Sequence, residues 1–436
     1  MISIFRNAFK IPDLRQKLLF TVLIIVVFRI GSAIPVPFIN LSELKTAMEA
    51  ITGGGSNFMG YLNILSGGAF ASGTLFAMSI SPYINASIIV QLLSVAIPAM
   101  ERLSKEGPEG QKVLGQITRY VTVALGLLQG TGFFFMLRGY NVVNYQRQGN
   151  GTAVFVAVTI ILTFSAGSAL MMWLGEQINE KGIGNGISIL LFAGIVSRGP
   201  QAVQVLWAML RAGNEQYFYA GAIVLIFIFV IAFVVFMDGA ERRIPVQYAK
   251  RVVGRKMYGG QSSHMPIKVN MSGVMPIIFA SSFLSIPSTI KAFVWGAETS
   301  ESTWYKILTW FDYNQMAYML IYFLFIMAFS YFYKAIQYNP IEMANNLRKQ
   351  SGAIPGIRPG KPTSDFLNVI MNKVVFIGGI FLGAIAILPI GFGMATSISG
   401  LAIGGTTILI MVGVALETTK QIESQMLMRH YKGFLE

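Results

Sequence analysis

The side chains best able to do chemistry are few and poorly arranged for it. Two histidines, His264 and His430, and no cysteine occur in 436 residues. That removes thiolate nucleophiles, disulfides and thiolate metal sites together. Both histidines fall in hydrophilic segments outside the apolar runs, and so few ligands make no metal site. No Walker loop, nucleophile elbow or HExxH is present. GIGNG at 182–186 has the glycine content of a nucleotide loop, but it lacks the following lysine and the preceding strand, and reads as the flexible opening of a helix. Arg29 and Glu417 alone bring charge near the apolar cores, whereas ion-coupled carriers need buried ionisable groups to hold the driving ion. The sequence therefore assigns no catalytic residue, metal or cofactor, and favours a passive device over an enzyme or an ion-coupled solute carrier.

The elements that would carry such a device are membrane helices. Apolar residues make up 54% of the chain and charged residues only 12%, and stretches of roughly 20 apolar residues, the length of one bilayer crossing, recur along it. Hydropathy places ten spans, at 18–35, 76–98, 113–137, 152–175, 184–204, 216–237, 274–295, 314–335, 372–390 and 399–419. The first run is too long for a signal peptide and is not followed by a usual cleavage site. With the N-terminus inside, most of the 33 Lys and Arg fall on one side of the membrane, which orients both termini to the cytoplasm. Loop lengths follow similar series in the first five spans and the last five. Because five is odd, equivalent loops lie on opposite faces, as in an inverted repeat of two halves, 1–210 and 211–436, with the functional site between them.

Three kinds of segment stand out. Residues 61–74, YLNILSGGAFASGT, are apolar but too short to span. Broken by Gly67 and Gly68, they read either as a re-entrant plug sheltered inside protein or as an interfacial surface helix. Spans 2 and 7 are unusually polar, with Asn85, Ser87 and Gln91 in one and Ser281, Ser282 and Ser285 in the other. Such groups are either interhelical glue or the lining of a route that holds water or opens sideways. Two long cytoplasmic loops, 238–273 and 336–373, are basic and partly β-like, as in RIPVQYAKRVV at 243–253, and a Pro/Gly turn at 354–360 presents Arg358 at its tip. With a net charge of +14, projections of this kind suit anionic lipid, ribosomal RNA or an acidic motor surface.

The residues also carry a resemblance. FRIGSAIPVP at 28–37, LSGGAF at 65–70, SPYINASIIVQLL at 81–93, WLGEQINEKGIGNGIS at 173–188, RRIPVQYAKR at 242–251, HMPIKVNMSGVMPIIFASS at 264–282, NP at 339–340 and PGIRPG at 355–360 together resemble the SecY family, the central subunits of bacterial protein-translocation channels, over nearly the whole chain. The resemblance implies an all-α membrane protein of ten transmembrane helices in two inverted five-helix halves around an hourglass pore, with a short re-entrant plug helix. It implies a channel for unfolded polypeptides that also releases hydrophobic segments sideways into lipid. The pore ring would be Ile80, Ile84, Ile187, Leu191, Ile278 and Ile410. The plug would include Tyr61, Leu62, Ile64, Leu65, Ser66, Gly67, Gly68, Ala69 and Phe70. The lateral gate would include Asn85, Ser87, Gln91, Ser281, Ser282 and Ile286. Arg243, Arg251, Arg255 and Arg358 would dock the ribosome or the motor ATPase SecA. SecE and SecG would be the small partner subunits, signal peptides and nascent polypeptides the cargo, and the bacterial plasma (inner) membrane the location.

Overall fold

In the computed structural model the described residues are 6–44, 46, 63, 66–140, 142–143, 150–211, 216–248, 251–253, 256–258, 262–295, 302–312, 315–396 and 405–432. The helices are α1 (Pro12–Gly31), α2 (Ser81–Ala96), α3 (Pro98–Lys105), α4 (Pro108–Gly139), α5 (Asn150–Lys181), α6 (Gly186–Val196), α7 (Gly199–Arg211) and α8 (Gln216–Gly239). Strands β1 (Glu241–Tyr248), β2 (Arg251–Val253), β3 (Lys256–Tyr258) and β4 (Ser262–Lys268) follow. The chain continues as α9 (Met275–Trp295), α10 (Thr303–Thr309), α11 (Met316–Gln337), α12 (Pro340–Lys349), β5 (Gly352–Ala353), α13 (Lys361–Thr396) and α14 (Gly405–Lys432).

Each predicted span has a helix at its place, but length and hydropathy together single out fewer. Among the described residues six helical stretches are long and apolar enough to cross a membrane, and a seventh passes if α2 and α3, bent by 102° at Ile97, count as one. The protein is thus a multi-pass membrane protein. Its lipid-facing surface is visible as exposed aliphatic and aromatic side chains, among them Leu225, Ile228, Phe229 and Phe236 on α8, which in water would be an aggregation hazard.

Local chemistry explains the corners. Pro108 opens α4 with Glu109 in the first turn and Arg138 closes it, in keeping with the helix dipole. Asn339 caps α12, its side chain accepting from the N–H groups of Ile341 and Glu342. The glycine-rich stretch at 182–186 is a close-packed corner rather than a flexible opening. Gly184 takes φ +85°, which favours glycine. Asn185 caps α6 by accepting from Ile187 and Ser188. A Cβ on Gly186 would stand 1.9 Å from the Gly175 carbonyl oxygen, so α5 and α6 touch backbone to backbone.

The two long basic loops add a small β module to the helical body. The three-stranded sheet runs β4-β1-β5, with β1 antiparallel to β4 from Glu241↔Lys268 to Gln247↔Ser262, and Gln247 paired with Ala353 joins the two basic loops. Alternation along β1 buries Ile244 and Val246 while exposing Arg243 and Pro245. Beneath it Ile267, Leu347, Ile354, Leu367 and Met371 form a separate core, so the two loops share one platform.

Span 2 begins later than hydropathy predicts. Residues 75–80 are turns and α2 starts at Ser81, with Pro82 in its first turn and Ser79 at φ +51° just before it. Of the expected short re-entrant helix, Asn63 is helical, residues 66–73 are a succession of turns, and 61–62 and 64–65 lie outside the described residues. Positive φ at Gly67, Gly68 and Gly73 keeps residues 66–73 out of regular helix.

Candidate functional site

A cavity of about 960 Å³ lies between α2, α4 and the start of α6 on one side and the end of α8, the β4–α9 connection, α11 and α14 on the other. The first wall is polar and uncharged, with Ser87, Gln91, Thr118, Asn185 and Ser188. The second holds Asp238, Asn270, Tyr333, Glu417 and Lys420, and apolar Ile278 and Ile410 also line the cavity. Ile267 and Lys268 of β4 place it on the side of the β module.

The six aliphatic positions come together. Ile80, Ile84, Leu191, Ile278 and Ile410 are all buried in one apolar cluster, with Ile187 half-buried against it. They derive from the start of α2 and from α6, α9 and α14.

Residues 66–74 are packed inside the protein, which disposes of the surface-helix alternative for this part. Ser66, Ala69, Phe70 and Thr74 are buried. Ala69 joins the cluster that holds the six aliphatics, and Phe70 packs on Phe133 with ring centroids 4.7 Å apart. The Ser66 hydroxyl accepts from Phe70 N–H at 3.0 Å, the Asn63 side chain accepts from Ala71 N–H at 3.0 Å, and Thr74 donates to the Ala69 carbonyl at 3.1 Å. These bonds replace those a helix would make. Tyr61, Leu62, Ile64 and Leu65 lie outside the described residues.

The polar residues of α2 and α9 divide. Helices α2 and α9 pack together, yet of the named residues only Ser87 and Gln91 line the cavity. Asn85 and Ser282 are half-buried, Ser281 is buried and Ile286 is exposed. Ser281 donates back to the Ile278 carbonyl at 2.9 Å and Ser285 to that of Ser282 at 2.6 Å. Gln91 does more: its amide donates to the Ser87 hydroxyl at 3.2 Å and accepts from the Tyr333 phenol at 3.0 Å. That chain crosses the cavity from α2 to α11. Nothing in the sequence distinguishes Tyr333 from the nearby Tyr331, and it was missed for that reason. The pair Lys420–Asp238 at 3.0 Å, with the Asn270 amide 3.5 Å from the same carboxylate, was missed as well, because its members are far apart in sequence.

Of the four arginines, Arg243 is exposed on β1 with its Nε 2.7 Å from Glu241 Oε1. Arg358 is exposed in the turn before α13, and its carbonyl accepts from the Thr363 hydroxyl at 2.8 Å. Arg251 opens β2 and Arg255 lies outside the described residues. Arg29 is exposed on α1, and Glu417 faces the cavity.

The family model described as SecY matches residues 74–419. A protein translocase subunit SecY from Streptomyces galbus is 44% identical over 445 aligned residues, covering 100% of both chains. The solved structure of a protein conducting channel superposes with a TM-score of 0.67 at 19% identity, over 94% of this chain and 92% of that one. Sec61 in the canine ribosome–channel complex from the endoplasmic reticulum gives a TM-score of 0.61 at 18% identity over the same shares.

Proposed function

The chain belongs to the SecY family, and on that footing we propose how its own residues make a protein-conducting channel. It is a protein translocase subunit whose passage lies between two halves, 1–210 and 211–436, inverted relative to each other. Its ten spans are α1, α2, α4, α5, the α6–α7 unit, α8, α9, α11, α13 and α14. The cavity between the halves is the cytoplasmic funnel of an hourglass. Ile80, Ile84, Ile187, Leu191, Ile278 and Ile410 close its waist as a dry aliphatic ring. The segment around residues 61–70 plugs the far side, and α2 and α9 part to release apolar segments into lipid. The single observation that carries this reading is the cavity itself, whose lining joins the gate residues Ser87 and Gln91 to Ile278 and Ile410 on the side of the basic loops.

The β module with Arg243, Arg251, Arg255 and Arg358 receives the ribosome or the motor SecA, which supplies the ATP chemistry that this chain lacks. SecE and SecG brace the subunit, and signal peptides and nascent polypeptides are its cargo. Anionic lipid balances its basic face. It resides in the bacterial inner membrane with both termini cytoplasmic.

Conductance of the reconstituted channel with its small partner subunits in a planar bilayer tests the reading. Wild type is expected to be tight and a deletion of residues 61–70 to leak ions. The deletion stops short of Thr74, which bridges to Pro35. If neither form conducts even with motor and substrate present, there is no plugged pore.

The Gln91–Tyr333 bond predicts a change in cargo selection. Such a bond contributes about 0.5–1.5 kcal/mol, and a leucine at the centre of a span about 0.3–0.6 kcal/mol. Tyr333→Phe, which keeps the ring, is therefore expected to lower the hydrophobicity needed for lateral release by roughly one to five leucines. The measurement is membrane integration of segments graded in leucine content. An unmoved threshold would show that the bond does not resist opening.

A further inference from the structure

We infer that α10 sits in the lipid headgroup layer on the face of the membrane opposite the β module, and that it moors the outer end of α9 there. The inference needs only that α9 and α11 cross a membrane, so its failure would leave the channel reading standing. Chain order gives the side. Helix α9 begins just after β4 and runs for 21 residues, about 30 Å at 1.5 Å per residue, so its far end lies across the membrane from the sheet. Helix α11 returns to α12 and β5 at the sheet. The short α10 joins the two far ends.

With 7 residues, α10 is about 10 Å long and cannot span. Its outward side is apolar: Trp304, Ile307 and Trp310 are 69%, 43% and 63% exposed, at a spacing of three that keeps them on one side. Tyr305 and Leu308, on the other side, are half-buried against the protein. Two indoles and an isoleucine turned to water are unfavourable, whereas indole rings prefer the membrane interface. The lipid-facing surface leads directly to them, since Ile286 and Ile290 on α9 and Met316, Leu320 and Leu324 on α11 are exposed on the flanking helices. Lys306, exposed on the edge of the same side, can extend toward phosphate.

The mooring is Lys291 of α9. Its side chain is only 18% exposed, with Nζ 2.5 Å from Asp312 Oδ2 and 4.8 Å from the centroid of the Tyr305 ring. A partly desolvated cation held by a carboxylate and an aromatic face is a strong tie. It connects α9 to both ends of the α10 segment, so the depth of α10 in the membrane limits the movement of α9.

The absence of cysteine makes single-site spin labelling clean. Full-length Ile307→Cys, with its partner subunits in phosphatidylcholine–phosphatidylglycerol vesicles, is compared with Leu225→Cys on the apolar face of α8 and His264→Cys on exposed β4. Collision rates with oxygen and with a water-soluble nickel chelate are expected to place the Ile307 label about 5–10 Å below the headgroup boundary, between the two controls. A label as accessible to nickel as that at His264 would put α10 in water. A label shielded from both reagents would put protein over it. Either overturns the inference. In the same vesicles Lys291→Met is expected to increase the mobility of a label at Ile290→Cys, and an unchanged spectrum would overturn the mooring.

Discussion

Replacing Ile278 and Ile410 together by serine is expected to raise the resting ion conductance of the reconstituted channel at least about tenfold. Both side chains line the cavity and both are buried in the shared aliphatic cluster, so in the proposed channel they stand where the funnel meets the waist. Burial of an aliphatic side chain of this size is worth about 1.5–3 kcal/mol relative to water. A hydroxymethyl group returns most of that and offers a hydrogen bond to water. About 1.4 kcal/mol is a factor of ten in an equilibrium, so even half of the change for two residues, spent on wetting the waist, reaches the stated size. The control is Ile278→Leu with Ile410→Leu, which keeps the apolar character and is expected to leave the seal within about twofold, since volume-conserving swaps cost little. A tight serine variant would remove these residues from the seal. Equal leakage from the serine and leucine variants would point to packing damage instead.

The sequence was most informative where one local property decides the outcome. Apolar runs about the length of a bilayer crossing placed the helices, because a backbone in lipid has few other ways to satisfy its hydrogen bonds. The alternation in RIPVQYAKRVV foretold β1 because a strand packed on one face has a period of two. Residues 66–74 were harder: the segment was marked as sheltered by its length and composition, but its fold depends on three side-chain bonds, from Ser66, Asn63 and Thr74, that no periodicity announces. The corner at 182–186 was misread as flexible because glycine content alone does not distinguish freedom from close approach, and only the position of the Gly175 carbonyl separates them. Tyr333 and the Asp238–Lys420 pair were invisible for a third reason: their partners lie 242 and 182 residues away, and such contacts exist only once the helices are assembled.

Arg358→Glu is expected to reduce motor-driven export about tenfold or more while leaving thermal stability in detergent unchanged. The arginine is exposed in a turn fixed by prolines and by Gly356 and Gly360 in positive φ, and its backbone carbonyl is held by Thr363. The guanidinium is therefore presented from a rigid base, and little ordering entropy opposes its capture by a partner carboxylate or phosphate. A hydrogen bond to a charged group contributes about 1.5–3 kcal/mol, and reversal replaces that attraction with repulsion. Arg243 provides the internal comparison. Its Nε already engages Glu241 at 2.7 Å, so a docking partner must compete with that carboxylate, and Arg243→Glu is expected to have the smaller effect. Equal losses from the two reversals would indicate a general field of positive charge over the β module. Normal export with Arg358→Glu would exclude this turn as a docking point, and the platform formed by β1, β4 and β5 would then serve to join the two loops rather than to present a charge.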